Sequence, residues 1–284
     1  MKKIGYVILT WNSEMVIKNC IESIAALTNI SADIILVDNG STDKTLEIIN
    51  SVQVTIPHTL EIIKFDKNMG TTVSRNAAIQ KLATHDIDYY CILDSDTIVN
   101  EDAMSKMIRY LDNNPDCGIV GPRMVTSNNV VQISGRCFPT VTEKFCKAVP
   151  LKCVQAIGEA KEELVPKNVV VGAYSVDYLM SACWMISKNV IDSVGLLDEK
   201  IFYAPEDVEY CIRVWKKGYE VVYYPEAQII HEWQRLSKKK LFSKMNYEHI
   251  KGLAYMFKKH KYFFSARRMK NSFPQNDAQG ESVI

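Results

Sequence analysis

Two aspartates that stand one residue apart, Asp94 and Asp96, are the residues best suited to chemistry in this sequence. They follow the apolar run at 89–93, which has the composition of a buried strand. Open α/β sheets bind their ligands at the carboxyl ends of their parallel strands. Because Mg²⁺ typically takes one or two carboxylates and leaves its other positions to water and phosphates, the pair predicts a metal and phosphate site. The alternative is a solvated turn, since Asp and Ser are common turn residues.

A second acidic pair, Glu206 and Asp207, opens a segment with helical periodicity. Apolar residues recur on one face of residues 208–217, so we expect the pair at the positive end of a helix. A carboxylate placed in a site could take the proton of an attacking hydroxyl. The same two acids could instead do no more than stabilise the start of the helix.

Strands and helices alternate through the first hundred residues. The predicted strands are residues 4–9, 32–37, 60–65 and 89–93, and the helices between them are residues 15–27, 44–50 and 72–82. Each strand ends in a polar loop, which predicts an α/β fold whose mostly parallel central sheet is flanked by helices and carries a site at its carboxyl edge. A G-x-G-x-x-G turn does not follow the first strand, and no P-loop pattern is present.

The periodicity weakens in the second half of the sequence. Residues 141–167 mix Lys and Glu with small residues, and we expect a mobile loop region there, with room for one helix, that contacts whatever varies among substrates. The apolar stretch 176–186 and two short strands at 219–224 and 229–231 complete this half.

The segment 236–270 is basic and aromatic, with a single acid, Glu248. Its cations are Lys238, Lys239, Lys240, Lys244, Lys251, Lys258, Lys259, Lys261, Arg267, Arg268 and Lys270, and its aromatic residues are Phe242, Tyr247, Tyr255, Phe257, Tyr262, Phe263 and Phe264. Basic helices with aromatic faces bind anionic bilayers, so this composition predicts a contact with a membrane surface. A solvated helix packed on the rest of the chain is the alternative, and nucleic acid is the least favoured partner.

The bulk composition is that of an ordinary globular protein, with 284 residues, 47% hydrophobic and 24% charged. The formal net charge of +1 gives no general attraction to nucleic acid. Eight scattered cysteines without a C-x-x-C pair favour a reducing compartment. The first residues do not resemble a signal peptide, and no apolar run approaches the length of a membrane span. We therefore expect a cytoplasmic protein, with the inner face of the cell membrane as a peripheral location.

Six segments in this order resemble the family 2 glycosyltransferases. They are Ile8-Leu9-Thr10-Trp11-Asn12, Val37-Asp38-Asn39-Gly40-Ser41-Thr42-Asp43, Asn68-Met69-Gly70 with Arg75-Asn76, Leu93-Asp94-Ser95-Asp96, Glu206-Asp207 and His231. The resemblance covers residues 4–235 and implies the GT-A fold, with a nucleotide-binding half at 1–97, an acceptor half at 98–235 and a basic helical extension at 236–284. Residues 134–139, 178–185 and 198–213 look most like bacterial rhamnosyltransferase-type enzymes that build surface polysaccharides.

The resemblance assigns a group of residues to the nucleotide sugar. They are Thr10, Trp11, Asn12, Asp38, Asn68, Gly70, Arg75, Asp94 and Ser95. Asp38 could accept a hydrogen bond from the ring N–H of uracil or thymine, or simply form a turn. Trp11 would lie near the base or anchor a core. Arg75 could bind a phosphate or the donor sugar with its fork of donors, or lie on the surface.

Further roles implied by the resemblance concern the metal, the acceptor and the chemistry. Asp96 would bind Mg²⁺ or Mn²⁺ directly, Asp94 would bind the ribose or the metal, and His231 would complete the metal shell, hold the diphosphate or be structural. Asp207 would be the general base of an inverting reaction, with Glu206 beside it as a partner to the acceptor or to the structure. The residues expected at the acceptor are Cys183, Trp184 and Arg136, although the first two could equally belong to the core.

The sequence therefore predicts an inverting, metal-dependent glycosyltransferase that uses a UDP- or dTDP-sugar, with rhamnose among the candidate sugars, and a saccharide or lipid-linked acceptor. A sugar-phosphate nucleotidyltransferase is the first alternative, but the Gly- and Arg-rich loop expected after its first strand is missing at residues 10–13. The second alternative is a non-catalytic subunit that binds nucleotide sugars in an assembly complex. Asp94, Asp96 and Asp207 argue against it.

Overall fold

The computed structural model describes residues 1–54, 56–166, 168–232 and 244–274. Its first half alternates strands and helices: β1 (Lys3–Thr10), α1 (Ile17–Ala25), β2 (Ser31–Asp38), α2 (Thr45–Gln53), β3 (Thr59–Lys64), α3 (Thr71–Leu82) and β4 (Tyr89–Asp94). The four strands pair in parallel in the order β3-β2-β1-β4. In this register Thr10 lies opposite Asp38 and Leu9 opposite Asp94, so the polar ends of β1, β2 and β4 meet at one edge.

The second half extends the same sheet with antiparallel and parallel strands. Its elements are β5 (Thr97–Ile98), α4 (Glu101–Asn113), β6 (Cys117–Val125), β7 (Val131–Gln132), β8 (Gly135–Arg136), α5 (Val141–Ala148), α6 (Lys152–Glu162), β9 (Tyr174–Ser175), β10 (Tyr178–Leu179), β11 (Cys183–Ser187), α7 (Lys188–Val194), α8 (Glu206–Lys216) and β12 (Glu220–His231). The sheet continues from β4 through β11, β6 and β12 to β5, and β11 runs antiparallel to both of its neighbours. The β12–β5 pairing sets His231 opposite Thr97, next to the Asp94 and Asp96 segment.

Two predictions for this half are wrong. Residues 141–167, expected as a mobile loop region, contain the two helices α5 and α6. The Thr140 side chain caps α5 by accepting a hydrogen bond from the Glu143 N–H at 3.1 Å, which satisfies one of the free amides at the helix start. The two short strands expected at 219–224 and 229–231 form the single strand β12, whose register against β6 shifts between Tyr224 and Gln228.

The sheet separates two hydrophobic cores, because alternate residues of a strand point to opposite faces. Tyr6, Cys91 and Met185 lie in the core on one face, and Tyr90 and Trp184 lie in the core on the other. The strands are buried on both faces and are therefore almost continuously apolar. Polar side chains are left for the strand ends, where the candidate site forms.

Two C-terminal helices, α9 (Lys244–His260) and α10 (Arg267–Lys270), pack against the second of these cores. Met256, Phe257, Tyr262 and Met269 are the buried residues of this contact. Lys238, Lys239, Lys240 and Phe242, which contributed to the predicted membrane contact, lie outside the described residues. Among the helices that the structure describes, none is both long enough and apolar enough to cross a membrane.

Candidate active site

Asp94, Asp96 and His231 converge at the carboxyl edge of the sheet. Asp94 is the last residue of β4, Asp96 lies in the turn between β4 and β5, and His231 is the last residue of β12. One ligand atom from each lies within 4.8 Å of the other two, and His231 Nε2 lies 3.3 Å from Asp96 Oδ1. Carboxylate oxygens and an imidazole nitrogen suit Mg²⁺ or Mn²⁺, so the cluster fits a divalent ion.

Gln132 fixes which nitrogen of His231 faces this cluster. The Gln132 amide nitrogen donates to the His231 carbonyl at 2.9 Å, so the amide oxygen is turned towards His231 Nδ1, 2.6 Å away. An amide oxygen can only accept, so Nδ1 carries a proton and Nε2 is the nitrogen that faces Asp96. Such an outer partner is what orients a metal-binding histidine. No motif or spacing in the sequence pointed to Gln132, which lies in the two-residue strand β7.

Arg75 joins the first acidic motif to the second. From α3, its guanidinium donates to Asp94 Oδ1 at 2.8 Å and to Glu206 Oε1 at 3.0 Å. The side chain is only 3% exposed and also donates to the hydroxyl and the carbonyl of Ser181 at 2.8 and 3.2 Å. The two terminal nitrogens thus make four bonds inside the protein. This differs from the predicted contact with a phosphate or sugar, because those donors already have protein partners.

The second acidic motif, Glu206-Asp207, opens α8 as predicted. Glu206 is buried, and its carboxylate accepts from Arg75 and from the Ser181 hydroxyl at 3.1 Å. Asp207 is half-buried and accepts from the Val208 N–H at 2.8 Å. Glu206 therefore has a fixed position between protein groups, whereas Asp207 keeps a partly open side.

Burial raises the pKa of both carboxyl groups. For Glu206 the charge of Asp207 adds to the effect of burial, and Arg75 offsets only part of it. For Asp207 the Val208 N–H and the charges of Arg136 and Arg75 lower the pKa by less than burial raises it. A carboxylate with a raised pKa holds a proton more strongly and is a better general base.

Thr10 and Asp38 end β1 and β2, and hydrogen bonds join the loops that follow these strands, the first of which carries Trp11 and Asn12. The Asn12 side-chain oxygen accepts from the Thr42 N–H at 2.8 Å, while the Asn12 N–H donates to the Ser41 hydroxyl at 2.9 Å. Asp38 is buried and accepts from the Ser41 N–H at 3.3 Å, which is the turn role that the sequence left open. Thr10 is also buried, whereas Trp11 is 41% exposed on the loop.

The loop before α3 contacts the segment that leads to Glu206. Asn68 accepts from the Gly70 N–H at 2.9 Å, and Gly70 has a φ of 91°, which favours glycine. A Cβ atom on Gly70 would lie 2.3 Å from the Phe202 carbonyl oxygen, so only glycine permits this approach. Ser95 lies nearer the metal cluster, with its hydroxyl 3.1 Å from that of Ser13.

Of the three residues predicted at the acceptor, Cys183 and Trp184 belong to the core. Both lie on β11, between β4 and β6, with side chains 1% and 0% exposed. The Trp184 ring stacks on Tyr210 with centroids 5.9 Å apart. A sheet neighbour covers each edge of β11, and a hydrophobic core covers each face, so these side chains have no open side. The prediction that they form a wall of an acceptor pocket is therefore corrected.

Arg136 lies beside the second acidic motif but already has a partner. Its guanidinium donates to Glu162 at 2.7 Å, and its charge acts on Asp207. Ser181, which the sequence reasoning did not assign, bonds to both Arg75 and Glu206. Its position between two core-forming strands, β10 and β11, gave no sign of a polar contact.

Comparison with known proteins identifies the family. The family model for Glycosyl transferase family 2 matches residues 6–157, more than half of the chain. The chain belongs to glycosyl transferase family 2. A second family model, Glycosyltransferase (GlcNAc), matches residues 172–282 of this family 2 chain.

A curated relative with a similar sequence is the poly-beta-1,6-N-acetyl-D-glucosamine synthase of Staphylococcus aureus. The two are 23% identical over 229 residues, which is 80% of this family 2 chain and 49% of the synthase. The chain thus spans about half the length of the curated relatives it matches.

Two solved structures show the same fold. Residues 1–349 of TarS of Staphylococcus aureus, in complex with UDP-GlcNAc, superpose with a TM-score of 0.55 at 16% identity, covering 85% of this chain and 62% of that TarS chain. The mannosyltransferase PcManGT of Pyrobaculum calidifontis, in complex with GDP-Man and Mn²⁺, gives a TM-score of 0.60 at 14% identity, covering 95% and 67%. The predicted GT-A fold is confirmed.

Proposed function

We propose that this chain is an inverting, metal-dependent glycosyltransferase that takes its sugar from a nucleoside diphosphate. The observation that carries the proposal is the convergence of Asp94, Asp96 and His231 at the sheet edge, joined through Arg75 to Glu206. Family membership supports the same reaction. In this proposal residues 1–97 bind the nucleotide, residues 98–235 receive the acceptor, and residues 236–284 form a basic extension.

The metal cluster belongs to the donor side of the reaction. Asp96, Asp94 and the Nε2 lone pair of His231 would hold Mg²⁺ or Mn²⁺. Bound there, the ion would supply positive charge beside the diphosphate, which gains negative charge as the glycosidic bond breaks. The loops after β1 and β2 would receive the nucleoside, with Trp11 against the base and the Asp38 carboxylate, which can accept more than one hydrogen bond, as an acceptor.

Asp207 is our candidate for the general base. It lies beside Glu206 but retains a partly open side, and burial raises its pKa. It would take the proton of the acceptor hydroxyl as that oxygen attacks the anomeric carbon from the face opposite the diphosphate, which inverts the centre. Glu206, held by Arg75 and Ser181, would fix the start of α8. Arg136 is the remaining candidate for acceptor contact.

UDP-GlcNAc is the first donor to test. TarS was solved with this compound, the similar synthase is named for a polymer of N-acetyl-D-glucosamine, and the second family model carries GlcNAc in its description. The comparisons offer no such support for rhamnose, the sugar that the resemblance to rhamnosyltransferases suggested, so dTDP-rhamnose becomes the comparison compound. A saccharide or lipid-linked acceptor fits a family member related to a polysaccharide synthase.

The C-terminal extension supports an additional contact with an anionic membrane. Tyr247, Ile250, Phe263 and Phe264 are exposed hydrophobic residues there, and the same segment carries exposed cations: Lys251, Lys258, Lys261, Arg267 and Arg268. Each cation near an anionic surface adds about 1 kcal/mol of attraction. Sedimentation with phosphatidylglycerol vesicles should carry the chain down, and phosphatidylcholine vesicles should not. If replacing Phe263 and Phe264 by Ser leaves the sedimented fraction unchanged, this surface is not the contact.

The function is tested by measuring release of UDP from UDP-GlcNAc, and of the corresponding nucleoside diphosphate from a panel of other nucleotide sugars, with and without Mn²⁺. Asp207→Asn should reduce sugar transfer about 10²- to 10⁴-fold, because the amide cannot take the proton, while nucleotide affinity stays near that of the parent. The parent rate should rise with pH as Asp207 loses its proton, and the variant should lack this rise. Metal-independent turnover, or near-parent transfer by the variant, would contradict the proposal.

A further inference from the structure

The C-terminal helix α9 touches the backbone immediately before the second acidic motif. Gly252 is buried at this contact, and a Cβ atom built on it would lie 2.3 Å from the Ala204 carbonyl oxygen and 3.1 Å from Pro205 Cδ. The first distance is far below any normal contact, and the atom it meets is backbone that cannot rotate away. Glycine is therefore required at 252 for α9 to lie at its observed distance from residues 204–205.

Ion pairs fix both ends of the segment that α9 covers. Lys259 Nζ lies 2.6 Å from Asp198 Oδ2 and 2.7 Å from Glu209 Oε1, and the Tyr255 hydroxyl donates to Asp198 Oδ2 at 2.7 Å. Asp198 precedes the acidic motif, and Glu209 lies in the first turn of α8. One lysine thus joins the entry to this segment with the start of the helix.

The acidic motif lies between these fixed points. The Glu209 N–H donates to the Pro205 carbonyl at 3.1 Å, so the backbone contacted by Gly252 is also the first hydrogen-bond acceptor of α8. On the other side, Arg75 holds the Glu206 carboxylate. A shift of residues 204–205 would rotate the first turn of α8 and move the Asp207 carboxylate with it.

We propose that α9 is a positioning element for the reaction, with Gly252 and Lys259 as positioning residues that hold Asp207 at the angle needed for proton transfer. The proposal rests on the role of Asp207 given above. It adds that the buried face of α9 helps to position the catalytic residues, independently of what the exposed face of the helix binds. Geometric precision of this kind is significant, because a displacement of about 1 Å can cost about 100-fold in rate.

Gly252→Ala separates this role from simple helix stability. Alanine inside a helix is ordinarily more favourable than glycine, so if α9 were only a packed or membrane-bound arm, the variant would be as active as the parent. If α9 positions Asp207, kcat of Gly252→Ala should fall about 10- to 100-fold. The KM for the UDP-sugar that the parent hydrolyses should stay near its parent value. Hydrogen exchange of the amides of Ala204 and of residues 206–209 should become faster in the variant, a readout that needs no substrate.

Ala254→Gly is the matched control, since Ala254 is an exposed residue of the same helix. It lowers helix propensity without changing the contact with Ala204, so we expect lower thermal stability and unchanged kcat. If kcat instead follows helix stability, falling in Ala254→Gly and not in Gly252→Ala, the proposal is overturned.

Lys259 gives a second test that does not depend on packing at Gly252. Lys259→Met should lower kcat with little change in the KM for the donor, and Lys259→Arg should restore most of it by keeping both ion pairs. Lys106→Met is the control, because Lys106 has the same partial exposure, 30% against 31%, and an ion pair of 2.7 Å to Asp102. Equal effects of Lys259→Met and Lys106→Met on kcat would contradict positioning. An active Asp207→Asn would instead refute the proposed base, whatever these variants do.

Discussion

Replacing Arg75 by methionine tests the link between the two acidic motifs. Methionine keeps a long side chain in the space but removes the bonds to Asp94, Glu206 and Ser181. Removing one partner of a buried ion pair costs about 3–5 kcal/mol when the other charge remains buried. Burial raises the pKa of Glu206 to about 8, so unfolding is measured well above that pH, where Glu206 is charged. The Glu206 side chain is 8% exposed and that of Asp94 is 37% exposed, so most of the cost should come from Glu206.

A double-mutant cycle with Glu206→Gln measures the free energy of the interaction between Arg75 and Glu206. The amide removes the charge that Arg75→Met leaves unpaired, and it can still accept from the Ser181 hydroxyl. We therefore expect Arg75→Met alone to lose about 3–5 kcal/mol of unfolding free energy. The double variant should lose about 1–3 kcal/mol less than the sum of the single losses.

The assay is urea unfolding followed by circular dichroism, without nucleotide or metal, so that ligand binding does not add to the stability. Arg109→Met is the control, because Arg109 is exposed on α4 and a substitution there should change stability by no more than about 0.5 kcal/mol. The reasoning is refuted if Arg75→Met costs no more than this control, or if the losses of the two single variants simply add.

The remaining predictions concern the metal and the acid stability. Gln132→Met should weaken Mn²⁺ binding about 10- to 100-fold in calorimetry, because His231 loses the partner that fixes its ring; unchanged affinity would show that Gln132 does not orient it. Burial raises the pKa of Glu209, but the hydrogen bond from His260 and the charge of Arg213 outweigh it and bring the pKa to about 2. This folded-state pKa is below the unfolded value, so the stabilisation is present above about pH 4.5 and lost as pH falls towards 2; Glu209→Gln should lower stability by about 3 kcal/mol at pH 7 and by much less near pH 2 in urea unfolding.

The local patterns of the sequence predicted the first half of the fold well. Continuous apolar runs that end in polar loops and alternate with helical periodicity are typical of buried parallel strands with crossover helices, and β1 to β4 are found where this pattern predicted them. The same logic placed Asp94 at the end of β4 and Glu206 at the start of α8. The bounds of a strand or helix depend on residues that are close together in the sequence, so the local sequence pattern is sufficient to predict them.

Tertiary structure alone decided which of these residues meet. Arg75 and Glu206 are 131 positions apart in the chain, and only the tertiary fold, which brings the Arg75 side chain of α3 to the start of α8, makes them partners. The insertion of β11 between β4 and β6 turned Trp184 into a core residue, since periodicity cannot tell which neighbour will cover an apolar strand. In the sequence, Gly252 is likewise only a residue of low helix propensity. The structure shows that a Cβ atom at this position would lie 2.3 Å from the Ala204 carbonyl oxygen. Pairing between distant segments depends on the shape of the whole molecule, and no local spacing encodes it.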